Sequence, residues 1–260
     1  MYEVLALVLL LLVIAHFIFK GKKNKEEGLL DGIDKRYVKI TKSAEGEIFS
    51  SFSLTFLDSS TKTPFYIVVD VETSGVYKYR NPDRKNLSNW PRIVQIAWSV
   101  FDKEGGLIKD VGEYFIQPRP IPIEAIARHG ITDDECEEKG VDPEPILREF
   151  LSDCEKASFL VGHNIKFDYE VIEANMRRFN VSNHFYMPTI CTMHSTTELL
   201  QIPGVVRGTL YKYPSLDELV RYLFYGKGVY PDRRSHDAEY DVAYTARCFF
   251  ELKERGVIKK

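Results

Sequence analysis

Phe65-Tyr66-Ile67-Val68-Val69-Asp70-Val71-Glu72-Thr73 is a run of β-branched and aromatic residues that delivers two acids separated by one position. Such a run reads as a strand. Side chains two apart on a strand point to the same face, so Asp70 and Glu72 aim their carboxylates at one spot. Two anions held together repel, and one tends to stay protonated. A hard divalent cation, Mg²⁺ or Mn²⁺, removes the conflict because it takes oxygen ligands. Distant parts of the chain offer groups that complete such a site: Asp168 in HNIKFD, and His236 and Asp241 in HDAEYD.

Outward from this strand the elements follow in a consistent order. Thr73-Ser74-Gly75 is a turn, and a polar, basic loop from Tyr77 to Asn89 carries Lys78, Arg80, Arg84 and Lys85. Arg92 to Phe101 reads as a long strand, and Gly105-Gly106 turns it into a further strand from Leu107 to Ile116. Three successive strands joined by turns predict an antiparallel meander. Helices are expected over Ile123–Arg128 (ended by Gly130), Asp142–Lys156, Phe167–Phe179, Leu216–Phe224 and Asp237–Lys253. Short strands are expected at Phe159–Val161 and Thr189–Thr192, and a loop at Gln201–Tyr213. The pattern is α/β, with a mixed sheet flanked by helices.

The chain has 260 residues and a net charge of −3, with 44% apolar and 28% charged residues. That composition is globular, and it excludes a uniformly basic nucleic-acid binder, so any phosphate-binding surface is local. Cys136, Cys154, Cys191 and Cys248 have no paired spacing and fit reduced thiols. Tyr2 to Phe19 is almost wholly apolar apart from Glu3 and His16. As a helix it is roughly 27 Å long, enough to cross a hydrocarbon core. Lys20, Lys22, Lys23 and Lys25 follow at once, which predicts a transmembrane anchor over 1–20 with the rest of the chain in the cytoplasm. The segment lacks the basic n-region and small-residue cleavage site of a signal peptide. Residues 21–63 form a tether or small accessory element, and the main domain is expected over 64–256.

Each acidic motif is weak alone, since an Asp near a helix start is commonly a cap. Together they are specific. Asp70-Val71-Glu72-Thr73, His163-Asn164-Ile165-Lys166-Phe167-Asp168 and His236-Asp237-Ala238-Glu239-Tyr240-Asp241 stand in the order Asp-x-Glu-Thr, His-Asn-x-x-x-Asp, His-x-Ala-x-x-Asp. In this the chain resembles the DEDDh exonucleases of the RNase H-like superfamily, the group of RNase T and the epsilon proofreading subunit of DNA polymerase III. IPIEAIARHGITDDE and RIVQIAW add to the resemblance, which covers about 64 to 255.

The resemblance implies an RNase H-like fold and hydrolysis of the 3′-terminal phosphodiester of DNA or RNA, releasing 5′-mononucleotides with two Mg²⁺ or Mn²⁺ ions. It implies metal ligation by Asp70, Glu72, Asp168 and Asp241, with Asp70 bridging. His236 is implied as the base, working beside Glu72, and Thr73, Glu124 and His129 as contacts to the terminal nucleotide. The implied partner is nucleic acid with a free 3′ end; a non-catalytic binding or scaffold protein on the same fold is the competing reading. His163 and Asn164 are expected to position the helix that carries Asp168.

Overall fold

A computed structural model of the protein describes residues 63–77, 83, 86–115, 117, 119–206, 209–226 and 236–259. The decisive strand is β1, Tyr66–Thr73. It pairs antiparallel with β2 (Ile93–Phe101), which pairs antiparallel with β3 (Leu107–Tyr114). On its other side β1 runs parallel to β4 (Phe159–Gly162), and β4 runs parallel to β5 (Thr189–Cys191). The sheet order is β3-β2-β1-β4-β5, the mixed sheet expected.

Helices cover both faces. They are α1 (Ile123–His129), α2 (Asp133–Lys139), α3 (Pro143–Cys154), α4 (Ile165–Arg178), α5 (Thr192–Leu200), α6 (Leu216–Val220) and α7 (Ala238–Glu254). A π-helical turn, Arg221–Tyr225, extends α6. The period-2 alternation of β1 sorts its side chains between two cores. Ile67, Val69 and Val71 pack with Leu147 and Phe150 of α3 and Val171, Ile172 and Met176 of α4. Tyr66 and Val68 pack with Leu219 and Val220 of α6 and Val242, Ala246 and Phe249 of α7. Asp70 and Glu72 continue the second series, so the strand delivers both acids to the face that α7 covers. Each fully buried large side chain contributes roughly 1.5–3 kcal/mol, which anchors that register.

Two struts fix the sheet's flank. Trp98 Nε1 donates to Asp153 Oδ2 at 3.0 Å, and Lys109 Nζ meets the same oxygen at 2.5 Å, tying β2 and β3 to α3. At the C-terminal end of α4, the half-buried Arg178 donates to Leu87 O at 2.8 Å, Trp90 O at 3.0 Å and Asn175 Oδ1 at 2.6 Å. It thereby pins the segment that enters β2.

Three elements depart from the expectations. Helix α2 forms because Thr132 and Glu135 make a reciprocal capping box, a Thr-x-x-Glu signal that stands in the sequence. Helix α5 follows β5 directly. The segment expected as a loop carries a hairpin, β6 (Pro203–Val206) with β7 (Thr209–Tyr211), separate from the main sheet. The anchor expected over 1–20 lies outside the described residues, as does the 21–63 segment apart from Thr63, and most of the basic loop. Among the described residues no helix is long and apolar enough to cross a membrane. Cys136, Cys154, Cys191 and Cys248 form no disulfide with one another.

Candidate active site

The carboxyl ends of β1 and β4, adjacent parallel strands, open into a cavity of about 590 Å³. Its lining includes Asp70, Glu72, Thr73, Glu124, His129, Asp168, His236 and Asp241, so every site residue expected from the sequence reaches one cavity. Within it, ligand atoms of Glu72, His236 and Asp241 lie within 4.8 Å of one another. Asp70 and Asp168 line the same cavity.

Each acid is placed by a different element. Glu72 is brought in by the strand register, opposite Gln95 of β2. Asp168 sits in the first turn of α4, where its buried Oδ1 accepts the Val71 backbone N–H at 3.2 Å. Asp241 lies in the first turn of α7, whose N-cap Asp237 accepts from Glu239 N at 3.1 Å. Gln95 Oε1 accepts from Ala238 N at 3.0 Å and so fixes the start of α7 to β2. His236 precedes that cap with φ of 66°, a left-handed backbone that is uncommon for a residue with a side chain. The imidazole is exposed yet directed to the two acids.

The acids strain one another electrostatically. Burial, then Asp241 and Asp168, push the Glu72 carboxyl up to about 8, with Arg128 pulling the other way. Burial also raises Asp168, against the backbone N–H groups of Asp168 itself and Val71. A cluster that resists ionisation on its own is one that a divalent cation stabilises, and its carboxylates supply the hard oxygens such an ion takes, with the imidazole of His236 alongside. The residues present therefore fit a divalent metal.

Around this centre, His163 acts as a clamp. Its Nε2 donates to Pro214 O at 2.9 Å and its Nδ1 lies 3.0 Å from Thr192 Oγ1. Asn164 takes φ of 68° as the chain turns from β4 into α4, a conformation Asn tolerates. Asn164 is the N-cap residue of α4, while the contacts of His163 tie the end of β4 to Thr192 and Pro214 rather than to that helix. His129 ends α1; its Nδ1 accepts from Ile131 N at 3.0 Å, and its Nε2 is buried beside the Thr73 backbone. Burial lowers its pKa, with the Thr73 backbone opposing. Sequence reading passed over Gln95, Arg128, Met193, Lys212 and Tyr213. Gln95 stands in the strand quoted for the resemblance, and Arg128 adjoins His129, so both had a positional signal. Lys212 and Tyr213 close the stretch 201–213, expected as a loop and signalled only as a segment.

Comparison with known proteins agrees with the fold and the motifs. The family model described as "RNase_T: Exonuclease" matches residues 67–249, and the chain belongs to this exonuclease family. DNA polymerase III PolC-type of Streptococcus thermophilus is 30% identical over 190 residues, covering 73% of this chain and 11% of that protein. Its counterpart in Streptococcus pyogenes is 28% identical over 205 residues, 75% of this chain and 12% of that protein. The chain thus spans about a tenth of the length of these relatives. Among solved structures, E. coli exonuclease I in complex with a 5cy-dT13 oligonucleotide superposes with a TM-score of 0.55 at 19% identity, over 75% of this chain and 41% of that one. Exonuclease I from Methylocaldum szegediense gives 0.53 at 21%, over 73% and 40%. These likenesses are of fold.

Proposed function

We propose that the chain is a divalent-metal-dependent 3′→5′ exonuclease that hydrolyses the terminal phosphodiester of a nucleic acid and releases 5′-mononucleotides. The observation that carries this reading is the convergence of Glu72, His236 and Asp241 within 4.8 Å at one end of the sheet. Asp70, Glu72, Asp168 and Asp241 would hold the ions. When bound, a pair of ions supplies an acidified water and charge stabilisation at the leaving oxygen. His236 takes the proton of the attacking water, a role its exposed ring on a left-handed hinge suits, and one that requires the neutral imidazole. Glu72 and Asp241 flank it and orient the ring. Thr73, Glu124 and His129, which line the cavity together, face the terminal nucleotide.

The exonuclease domain, taken as 64–256, is held at a membrane surface by residues 1–20 through the 21–63 tether, facing the cytoplasm. The basis is the apolar run and its flanking lysines.

The test is an oligonucleotide labelled at its 5′ end, incubated with Mg²⁺. A ladder shortening from the 3′ end, abolished by EDTA and by Asp70→Ala, is expected. Intact substrate bound by the wild-type chain would favour the non-catalytic binder instead. Running single-stranded DNA, duplex DNA and RNA in parallel ranks the polymers.

A further inference from the structure

The cavity has two walls, drawn from opposite halves of the sheet. Glu124, Ala125, Arg128 and His129 come from α1, which follows β3; Met193 comes from α5, and Lys212, Tyr213, Pro214 and Ser215 from the segment between β7 and α6. The first wall is assigned above to the terminal nucleotide. The second has no assigned role.

Its chemistry favours a base over a phosphate. Tyr213 is 40% exposed, while the other aromatic side chain lining the cavity, Phe167, packs into the core against Tyr77 with ring centroids 5.6 Å apart. The Tyr213 ring is backed by His194 at 5.0 Å. Lys212 is held by Glu218 at 2.5 Å, and Asp217 adds a carboxylate to the same wall, so the cationic charge is offset locally. An open aromatic ring in a charge-balanced wall that also carries the Met193 thioether suits the π-face of a base.

The wall is also rigid. Lys212 N donates to Ile202 O at 3.0 Å across the base of the hairpin. His163 Nε2 grips Pro214 O at 2.9 Å, and Ser215 caps α6 in a reciprocal box with Glu218. A platform fixed in advance loses little entropy on binding.

We infer that Tyr213, with Met193 lining the same wall, forms a subsite on which the base of the penultimate nucleotide stacks, an assignment that rests on the exonuclease reading above. The hairpin β6–β7 serves to present this segment, and His163 couples its position to the acidic centre.

The experiment uses the full chain and two oligonucleotides, one normal and one with an abasic residue at the penultimate position. KM is read by hydrolysis with Mg²⁺, and affinity by fluorescence anisotropy with Ca²⁺. The wild type is expected to lose about tenfold on the abasic substrate, within the range of base–aromatic stacking. Tyr213→Ala should lose about tenfold on the normal substrate and little more on the abasic one; Tyr213→Trp should restore the discrimination. A Tyr213→Ala variant that keeps the wild-type ratio overturns the subsite, even with hydrolysis intact. Discrimination in binding that Tyr213→Ala removes, with no hydrolysis by the wild type, would keep the subsite and discard the exonuclease reading.

Discussion

Gln95 accepts a hydrogen bond from the backbone N–H of Ala238 at 3.0 Å, across 143 positions of sequence. That bond, together with the packing of Ala238, Val242, Ala246 and Phe249 on the sheet, sets where α7 begins, and so where His236 and Asp241 stand relative to Glu72, the strand partner of Gln95. Gln95 is fully buried, so replacing it by Ala leaves the Ala238 donor without its acceptor. Gln95→Ala should cost roughly 1–3 kcal/mol of stability by denaturant titration. It should lower kcat more than it raises KM, because it misplaces the acids rather than the substrate wall. A Gln95→Ala variant with wild-type stability and turnover would remove the residue from this role.

His236→Asn should lower kcat by roughly 10²–10⁴, the usual worth of a positioned acid or base. The binding of oligonucleotide in Ca²⁺ should change much less. Unaltered turnover would exclude His236 as the proton acceptor.

Stability should depend on pH through the acidic cluster, with a definite sign. Glu72 is raised from 4.5 to about 8 in the fold, so between those values the folded chain holds a proton that the unfolded chain releases. Its contribution is fully present below about 4.5 and is lost as pH rises through about 8. In EDTA, therefore, Glu72→Gln should melt higher than the wild type at pH 8, and the difference should vanish at pH 4.5. Added Mg²⁺ should narrow the gap at pH 8 by stabilising the ionised wild-type cluster. A gap that grows toward low pH would contradict the assignment.

Arg178 serves the scaffold. Burial, with Arg92 nearby, lowers its pKa to about 10, yet it stays charged at neutral pH and satisfies the carbonyls of Leu87 and Trp90. Arg178→Ala strands those acceptors and should cost roughly 2–4 kcal/mol by thermal or denaturant unfolding. A loss below about 0.5 kcal/mol would show that water replaces the guanidinium.

Much of this architecture was legible from residue pattern alone. The β-branched run 65–69, the Gly105-Gly106 turn and the amphipathic stretch of α3 are local signals, and strands and helix appear where those signals stand. The acids were legible because they lie in compact motifs. What escaped depended on contacts that sequence spacing does not encode. Tyr213 meets the cavity only because a hairpin in a separate small sheet lifts it there and His163 grips the following proline. Asp70 was expected as a metal ligand and His236 as the base; both line the cavity, and a ligand atom of His236 lies within 4.8 Å of those of Glu72 and Asp241. The left-handed backbone at His236 is a feature that no residue type announces.

The central claim is that these side chains form one cation-binding centre. Calorimetric titration of the full chain with Mn²⁺ tests it most directly, comparing wild type with Glu72→Gln and Asp241→Asn. Saturable binding by the wild type, weakened at least about tenfold in each variant with the fold retained by circular dichroism, is the predicted result. Equal Mn²⁺ affinity in all three proteins, or none in the wild type, would contradict it.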